Sequence, residues 1–369
     1  MKRLIPTGLT ARIAVLLAAS LCAAAVAVPA SAVAAGKPAH HRAKAPKPKP
    51  MYWGMWIGKQ LTPPNAPPYD MNGVNIMSSL VGKGLSLVEF ASPFADCKVS
   101  PCAFYRFPDK GMEAIRAYGA IPFFSWAGES SPRTTEEDPD FQLSDLIEGR
   151  YDAYIAQFAA EAKEWAHPFF LRFNWEMNGN WFSWSEGING NKRGQYVAAW
   201  RHVHDIFTEV GATNATWVWC PYADPKRRFN ELKPLYPGDA YVDWTCMDGY
   251  NWGKNPINPK PWRSFDEIFA TTYEQVKKVA PRKPMMLAEF GTSPKGGPKA
   301  KWIRDMFKVI PRKYPRIRGL IYLDGLDRGI DWTIESSGTA AAQFARGISR
   351  WLYLPNQYGA LATSPIPPP

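Results

Sequence analysis

Short apolar runs and longer amphipathic stretches alternate along most of this chain. The apolar runs cover residues 52–57, 85–90, 120–125, 168–173, 215–219, 241–247, 284–288 and 319–323. Several are apolar at nearly every position, as in strands covered on both faces of a parallel sheet. Between them the apolar residues fall at helical spacing. In 145–165 these are Leu146, Ile147, Tyr154, Ile155, Phe158 and Ala159; in 195–210 they are Val197, Trp200, Val203, Ile206 and Phe207. Gly211 stands where a helix would end. Further helices are predicted over 265–279, 299–310 and 336–352. The first strand–helix unit is the least regular, because proline is frequent after Ile57. Eight strands alternating with helices predict an α/β fold, a closed (β/α)8 TIM barrel forming a single catalytic domain over 51–355, in preference to an open doubly wound sheet. No glycine-rich dinucleotide or phosphate loop follows the first run.

The two ends depart from this pattern. Lys2, Arg3 and Arg12 precede an apolar run from Ile13 to Val28, and Ala30-Ser31-Ala32 offers a small-residue cleavage site. Residues 1–32 are therefore expected to be a secretory signal peptide, the run being too short and too rich in small residues for a membrane span. Ala32-Val33-Ala34 is a second possible cut, and Leu21 before Cys22 weighs against a lipoprotein site. Residues 33–50 read as a Lys/Pro-rich linker, a passive tether more than a ligand for acidic polymers, and 356–369 as a flexible C-terminal tail. The expected location is extracellular.

Charge follows from these ends. The first 50 residues hold eight of the 44 basic residues and no Asp or Glu, which leaves 36 basic against 33 acidic in the remainder. A net charge of +11 for the whole chain thus shrinks to +3 on the domain. That balance excludes a nucleic-acid footprint. The expected partner is a polysaccharide, with no nucleic acid, no membrane and a monomeric state. Composition adds 46% hydrophobic residues and 16 Trp, which serve either the core or flat stacking platforms for sugar rings.

Removal of the leader would take Cys22 and leave Cys97, Cys102, Cys220 and Cys246. An even number in an oxidising compartment favours disulfides. Cys97 and Cys102 enclose four residues and are expected to close a small loop. Cys220 and Cys246 either pair across neighbouring strands or remain buried thiols.

In a barrel of this kind the chemistry sits at the C-terminal ends of the strands. Glu176 follows the fourth run and Glu289 directly follows the seventh. A glycosidase needs one carboxylic acid to protonate the leaving oxygen and a second carboxylate opposite, roughly 5–5.5 Å away where configuration is retained. The histidines left on the domain, His167, His202 and His204, make no metal set, and no Gly-x-Ser-x-Gly elbow occurs. Asp248, Asp324, Asp327 and Asp331 read as solvated loop acids before cleft contacts.

The stretch Leu171-Arg172-Phe173-Asn174-Trp175-Glu176-Met177-Asn178-Gly179-Asn180-Trp181-Phe182 resembles the acid/base motif of glycoside hydrolase family 26, mainly β-mannanases. Residues 284–291, Asp243-Trp244, Gly249-Tyr250-Asn251-Trp252 and Trp217-Val218-Trp219 extend the resemblance over roughly 51–355. It implies Glu176 as general acid/base and Glu289 as nucleophile, with no cofactor. It further implies Tyr250 bonded to Glu289 and Trp181 as a cleft wall. Arg172 would join either a buried ion pair or the substrate. Trp126, Trp184 and Trp252 are either subsites or core, and Tyr322 is a candidate platform under the reacting sugar. One position departs from the pattern: Trp175 stands where the family carries His. Asn174, two before Glu176, would face the same side in an extended strand and take over the contact. The first substrate implied is β-1,4-mannan, cleaved endo by a secreted retaining enzyme. Xylan or mixed-linkage β-glucan, and a catalytically silent carbohydrate-binding barrel, are the alternatives.

Overall fold

The structure, a computed structural model, describes residues 47–61, 70–132, 136–223, 231–255 and 259–369. The expected signal peptide and residues 33–46 of the expected linker lie outside them.

Eight parallel strands close into a barrel: β1 (Tyr52–Ile57), β2 (Leu87–Asp96), β3 (Ile121–Ser131), β4 (Phe169–Phe173), β5 (Ala215–Trp219), β6 (Trp244–Asn251), β7 (Met285–Thr292) and β8 (Ile317–Asp324). Each pairs with its chain neighbours, and β1 meets both β2 and β8 to complete the ring. The eight apolar runs mark these strands, several of which run longer at their C-terminal ends. There the side chains turn polar and the hydrophobic pattern stops while the ladder continues.

Helices α1 (Asn72–Val81), α2 (Asp109–Tyr118), α3 (Leu143–Ile147), α4 (Asp152–Trp165), α5 (Gln195–Val210), α6 (Phe265–Val279), α7 (Lys299–Lys313) and α8 (Gly338–Ile348) are the α-helices of the described residues. The single helix expected over 145–165 is two. Gly149 adopts φ +84° between them, a left-handed conformation that ends α3. Helix α6 starts with a capping box, Ser264 and Glu267 each accepting from the other's backbone N–H.

Alternation along the strands sorts two apolar layers. One residue parity faces the helices. The other fills the barrel, with Tyr52, Leu87, Phe123, Phe170, Val218, Trp244, Met286 and Ile321 in one buried cluster. Cys220 and Cys246 belong to that inner cluster and are joined as a disulfide between β5 and β6. Cys97 and Cys102 form the second disulfide.

The expected flexible tail is instead packed. Ile366 is 1% exposed and lies in the inner cluster at the N-terminal end of the barrel. The Trp244 indole N–H donates to the Ile366 carbonyl (2.7 Å), the Tyr52 hydroxyl to that of Pro367 (2.9 Å), and the Ile366 N–H to Thr216 Oγ1 (2.9 Å). A parallel barrel leaves its N-terminal mouth open to water, so an apolar residue that caps it is held by burial. Proline-rich composition concealed this, because the single apolar anchor carries no periodicity.

Candidate active site

At the opposite mouth, the last inward residues of the strands are polar and almost wholly buried. Arg172 on β4 is 0% exposed. Its guanidinium contacts Glu89 from β2 (2.5 Å), Asp248 from β6 (2.8 Å) and Glu289 from β7, and its Nε donates to Ser125 on β3 (2.8 Å). One cation facing three carboxyls in a dry space cannot neutralise them all. Burial pushes the Glu89 carboxyl up to about 8, against the opposing pull of Arg172. Burial likewise raises Asp248 well above the usual carboxylate range, again opposed by Arg172 and assisted by Glu289. Burial works against the Arg172 charge, but Glu89, Asp248 and Glu289 together outweigh it and raise its pKa.

Glu289 reaches this cluster through an irregular strand. The β6–β7 register shifts between Met247 and Asp248, and the β7–β8 register between Leu287 and Phe290. Such an irregularity re-aims a side chain. The Glu289 side chain, 16% exposed, accepts from Arg172 on one oxygen and from the Tyr250 hydroxyl on the other (2.5 Å). Burial and the neighbouring Glu289 raise the Tyr250 pKa well above 10, so the phenol keeps its proton and donates.

Glu176 sits in a tight turn after β4, with φ +53°, following Asn174 at φ +40°. Its N–H donates to the Cys220 carbonyl (2.7 Å), and its Oε2 accepts from the Trp181 indole N–H (2.5 Å). Gly179 is required beside it: a Cβ there would stand 2.4 Å from the Trp181 ring.

Glu176 and Glu289 line one cleft of about 440 Å³, walled by Trp175, Trp181, Phe182, Tyr222, Tyr250, Trp252 and Trp332. Leu323, Asp327, Arg328 and Ile330 complete one side. Flat aromatic faces with a few convergent polar groups suit a sugar chain.

Trp175, Trp181, Tyr250 and Trp252 therefore come together as expected residues of one cleft. Others do not. Trp126 is 0% exposed and stacks on Phe158 with ring centres 4.2 Å apart, in the layer between strands and helices. Trp184 is equally buried, stacks on Phe182 at 4.3 Å and donates to the Trp175 carbonyl (2.7 Å), so it backs the cleft wall from behind. Tyr322 is not the platform: it is buried, and its hydroxyl donates to the carbonyl of Trp332 (2.9 Å), which does line the cleft. Asn174 is not in the cleft either. The left-handed turn breaks the alternation, and its Oδ1 accepts from Gly128 N–H (2.7 Å) in the core. Of the two readings of Arg172, the ion pair is the one formed. Trp175 lies over it, ring centre 4.7 Å from the guanidinium carbon.

Asp248 and Asp324 are buried instead of solvated, Asp324 accepting from the Ile334 N–H (2.8 Å). Asp331 caps Thr333, and Asp327 lines the cleft. Glu89, Tyr222 and Trp332 were not anticipated. Glu89 was legible as an acid inside the second apolar run, an expensive place for a charge without a partner.

The family model for glycosyl hydrolase family 26 matches residues 135–287. Endoglucanase H of Acetivibrio thermocellus is 30% identical over 299 residues, 80% of this chain, but the match spans only 30% of that protein's length. A mannan endo-1,4-beta-mannosidase of Bacillus subtilis is 30% identical over 231 residues, 60% of this chain and 57% of the relative. Among solved structures, the catalytic domain of a family 26 endo-beta-1,4-mannanase from Bacillus sp. JAMB-750 superposes with a TM-score of 0.65. That match covers 84% of this chain and 90% of the other at 17% identity.

Proposed function

Because the chain belongs to glycosyl hydrolase family 26, we propose that it is a secreted retaining endo-β-glycanase acting first on β-1,4-mannan, with Glu289 as nucleophile and Glu176 as general acid/base. The observation that carries this reading is the convergence of two carboxyls on one aromatic-walled cleft. Arg172 and Tyr250 each donate to Glu289, one per oxygen, which aims the carboxylate and leaves lone pairs for the anomeric carbon. Glu176 lines the same cleft, and the Trp181 indole N–H donates to one of its oxygens, which aims the carboxyl as the carrier of the leaving group's proton.

In the first step a Glu289 oxygen bonds to the anomeric carbon as the glycosidic bond breaks, and the Glu176 proton passes to the leaving oxygen. In the second, Glu176 takes a proton from water, whose oxygen attacks the same carbon and releases Glu289. No cofactor enters either step. Secretion is supported by the leader-like N-terminus and by two disulfides, which suit an oxidising compartment.

A second reading, a β-glucan as the preferred substrate, is favoured by Trp175 in the cleft and by the similarity to Endoglucanase H. A silent binding barrel is disfavoured, since binding alone has no use for two converging carboxyls. The test is product analysis on mannan, glucomannan, lichenan and xylan with three proteins. Wild type should give oligosaccharides from mannan. Glu289→Ala should lose about 10⁴-fold or more in rate and regain turnover with azide as an inverted glycosyl azide. Glu176→Ala should lose far more on polysaccharide than on aryl glycosides with good leaving groups. Wild-type rates in either variant would overturn the assignment, and glucan products alone would move the substrate to the second reading.

A further inference from the structure

Glu176 follows β4 and Glu289 stands on β7; these two strands do not touch, and β5 and β6 lie between them. Retaining chemistry depends on the separation of the two carboxyls, so whatever sets the β4-to-β7 spacing at this level sets the reaction. The described contacts trace a short path. The Glu176 N–H is held by the carbonyl of Cys220, the residue after β5 (2.7 Å). Cys220 is bonded through its sulfur to Cys246 on β6. Two residues further along β6, Asp248 binds Arg172 and stands opposite Glu289 in the β6–β7 register.

The disulfide occupies a rung of the β5–β6 ladder. The strands pair in register at Val218–Trp244 and Trp219–Thr245, and again at the isolated bridge Tyr222–Asp248. Cys220 and Cys246 share that register, 26 residues apart like the rungs on either side. Both are 0% exposed, directly beneath the acidic cluster, and Cys220 Sγ lies 3.2 Å from Asp248 Oδ1. A disulfide sulfur has no proton to give, so any hydrogen bond across that contact takes its proton from the carboxyl. Tyr222, two residues beyond Cys220, already lines the cleft.

We propose that the Cys220–Cys246 disulfide is a positioning element for catalysis, the covalent rung that fixes the spacing between the acid/base and nucleophile strands. The inference rests on the roles proposed above for Glu176 and Glu289. The cysteines touch no substrate; they act through the Cys220 carbonyl on Glu176 and through Asp248 and Arg172 on Glu289. The other disulfide, Cys97–Cys102, lies just past the C-terminal end of β2 and is not part of this path.

The experiment compares Cys220→Ala/Cys246→Ala with Cys97→Ala/Cys102→Ala, each assayed well below its melting temperature on the polysaccharide the wild type cleaves. The first variant should lose about ten- to a hundredfold in kcat, as displacements of an ångström do, with KM within about twofold. The second should keep both constants. A Cys246→Ser variant, which refills the space without the bond, should show the same kcat loss and serves where the double alanine variant does not fold. A folded variant of either kind with wild-type kcat would overturn the proposal. Failure of both to fold would also overturn it, making the bridge a folding staple. Activity surviving in Glu289→Ala would instead sink the catalytic roles themselves, so the two failures are told apart.

Discussion

At the scale of single residues, Trp175 is the position where this chain departs from the family 26 motif it otherwise resembles. The indole stands between the cleft and the Arg172 guanidinium and is braced by Phe182 and Trp184, with ring centres 5.4 and 5.3 Å away. A cation under an aromatic face is stabilised by the ring and screened from water. The cost is a mostly apolar surface where a sugar hydroxyl would meet the floor of the site. Trp175→His should raise activity on mannan relative to lichenan about two- to tenfold, the worth of one neutral hydrogen bond of roughly 0.5–1.5 kcal/mol. Rates on both polysaccharides decide it, and an unchanged ratio would show that Trp175 does not select the sugar. Asn174 is no rival for this role. Its amide oxygen binds the Gly128 N–H, so Asn174→Ala should lower the melting temperature and leave the substrate ratio alone.

At the scale of elements, the strands were legible because burial on two faces writes an unbroken apolar run. Their C-terminal extensions were not, since polar side chains there obey the site and not the core. Glu176 and Glu289 were found by position after a run, a rule that survives a turn or a bulge. Asn174 was misplaced because alternation does not survive φ +40°. Trp332 escaped because it stands on the loop between β8 and α8, where no periodicity reports direction. That loop is tied at several points. Asp324 accepts from Ile334, Lys299 donates to the Thr333 carbonyl (2.6 Å), and Tyr322 donates to that of Trp332.

Two of these anchors titrate abnormally. Burial, with Glu335 nearby, raises Asp324 to about 8, and burial lowers Lys299 to about 8, against the attraction of Asp331, Asp324 and Glu335. For Asp324 the folded form holds its proton more tightly than the unfolded chain does. Its contribution is therefore complete below about pH 4 and is lost as pH rises to about 8. The melting temperature of wild type relative to Asp324→Asn should fall across that window. The expected change exceeds about 2 °C, read from thermal melts at pH 4, 6 and 8. Parallel pH profiles would mean that folding does not raise the Asp324 pKa.

At the scale of the whole molecule, the barrel has a chemical end and a structural end, and the terminal segment serves the second. Asn356 donates to the Tyr118 carbonyl (2.8 Å), Tyr358 N–H to that of Gly119 (2.7 Å), and Arg116 to that of Gly359 (2.8 Å). The segment thus crosses under the barrel before Ile366 enters it beside Tyr52 and Trp244. Deleting residues 356–369 would expose that apolar floor and leave the buried Trp244 indole N–H without its acceptor. Burial of one Ile contributes about 1.5–3 kcal/mol, and an orphaned buried donor costs about 1–3 kcal/mol. At a few degrees per kcal/mol, the deletion should lower the melting temperature by roughly 5–10 °C. Below the new transition, kcat should stay within about twofold, because the cleft lies at the opposite ends of the same strands. Thermal melts and steady-state rates on the truncated protein check both halves. A melting temperature within about 1 °C of wild type would mean that the segment does not seal the floor in solution. A large loss of kcat in a folded truncation would mean that the two ends of the barrel are coupled through the inner cluster that Ile366 shares with Cys220 and Cys246.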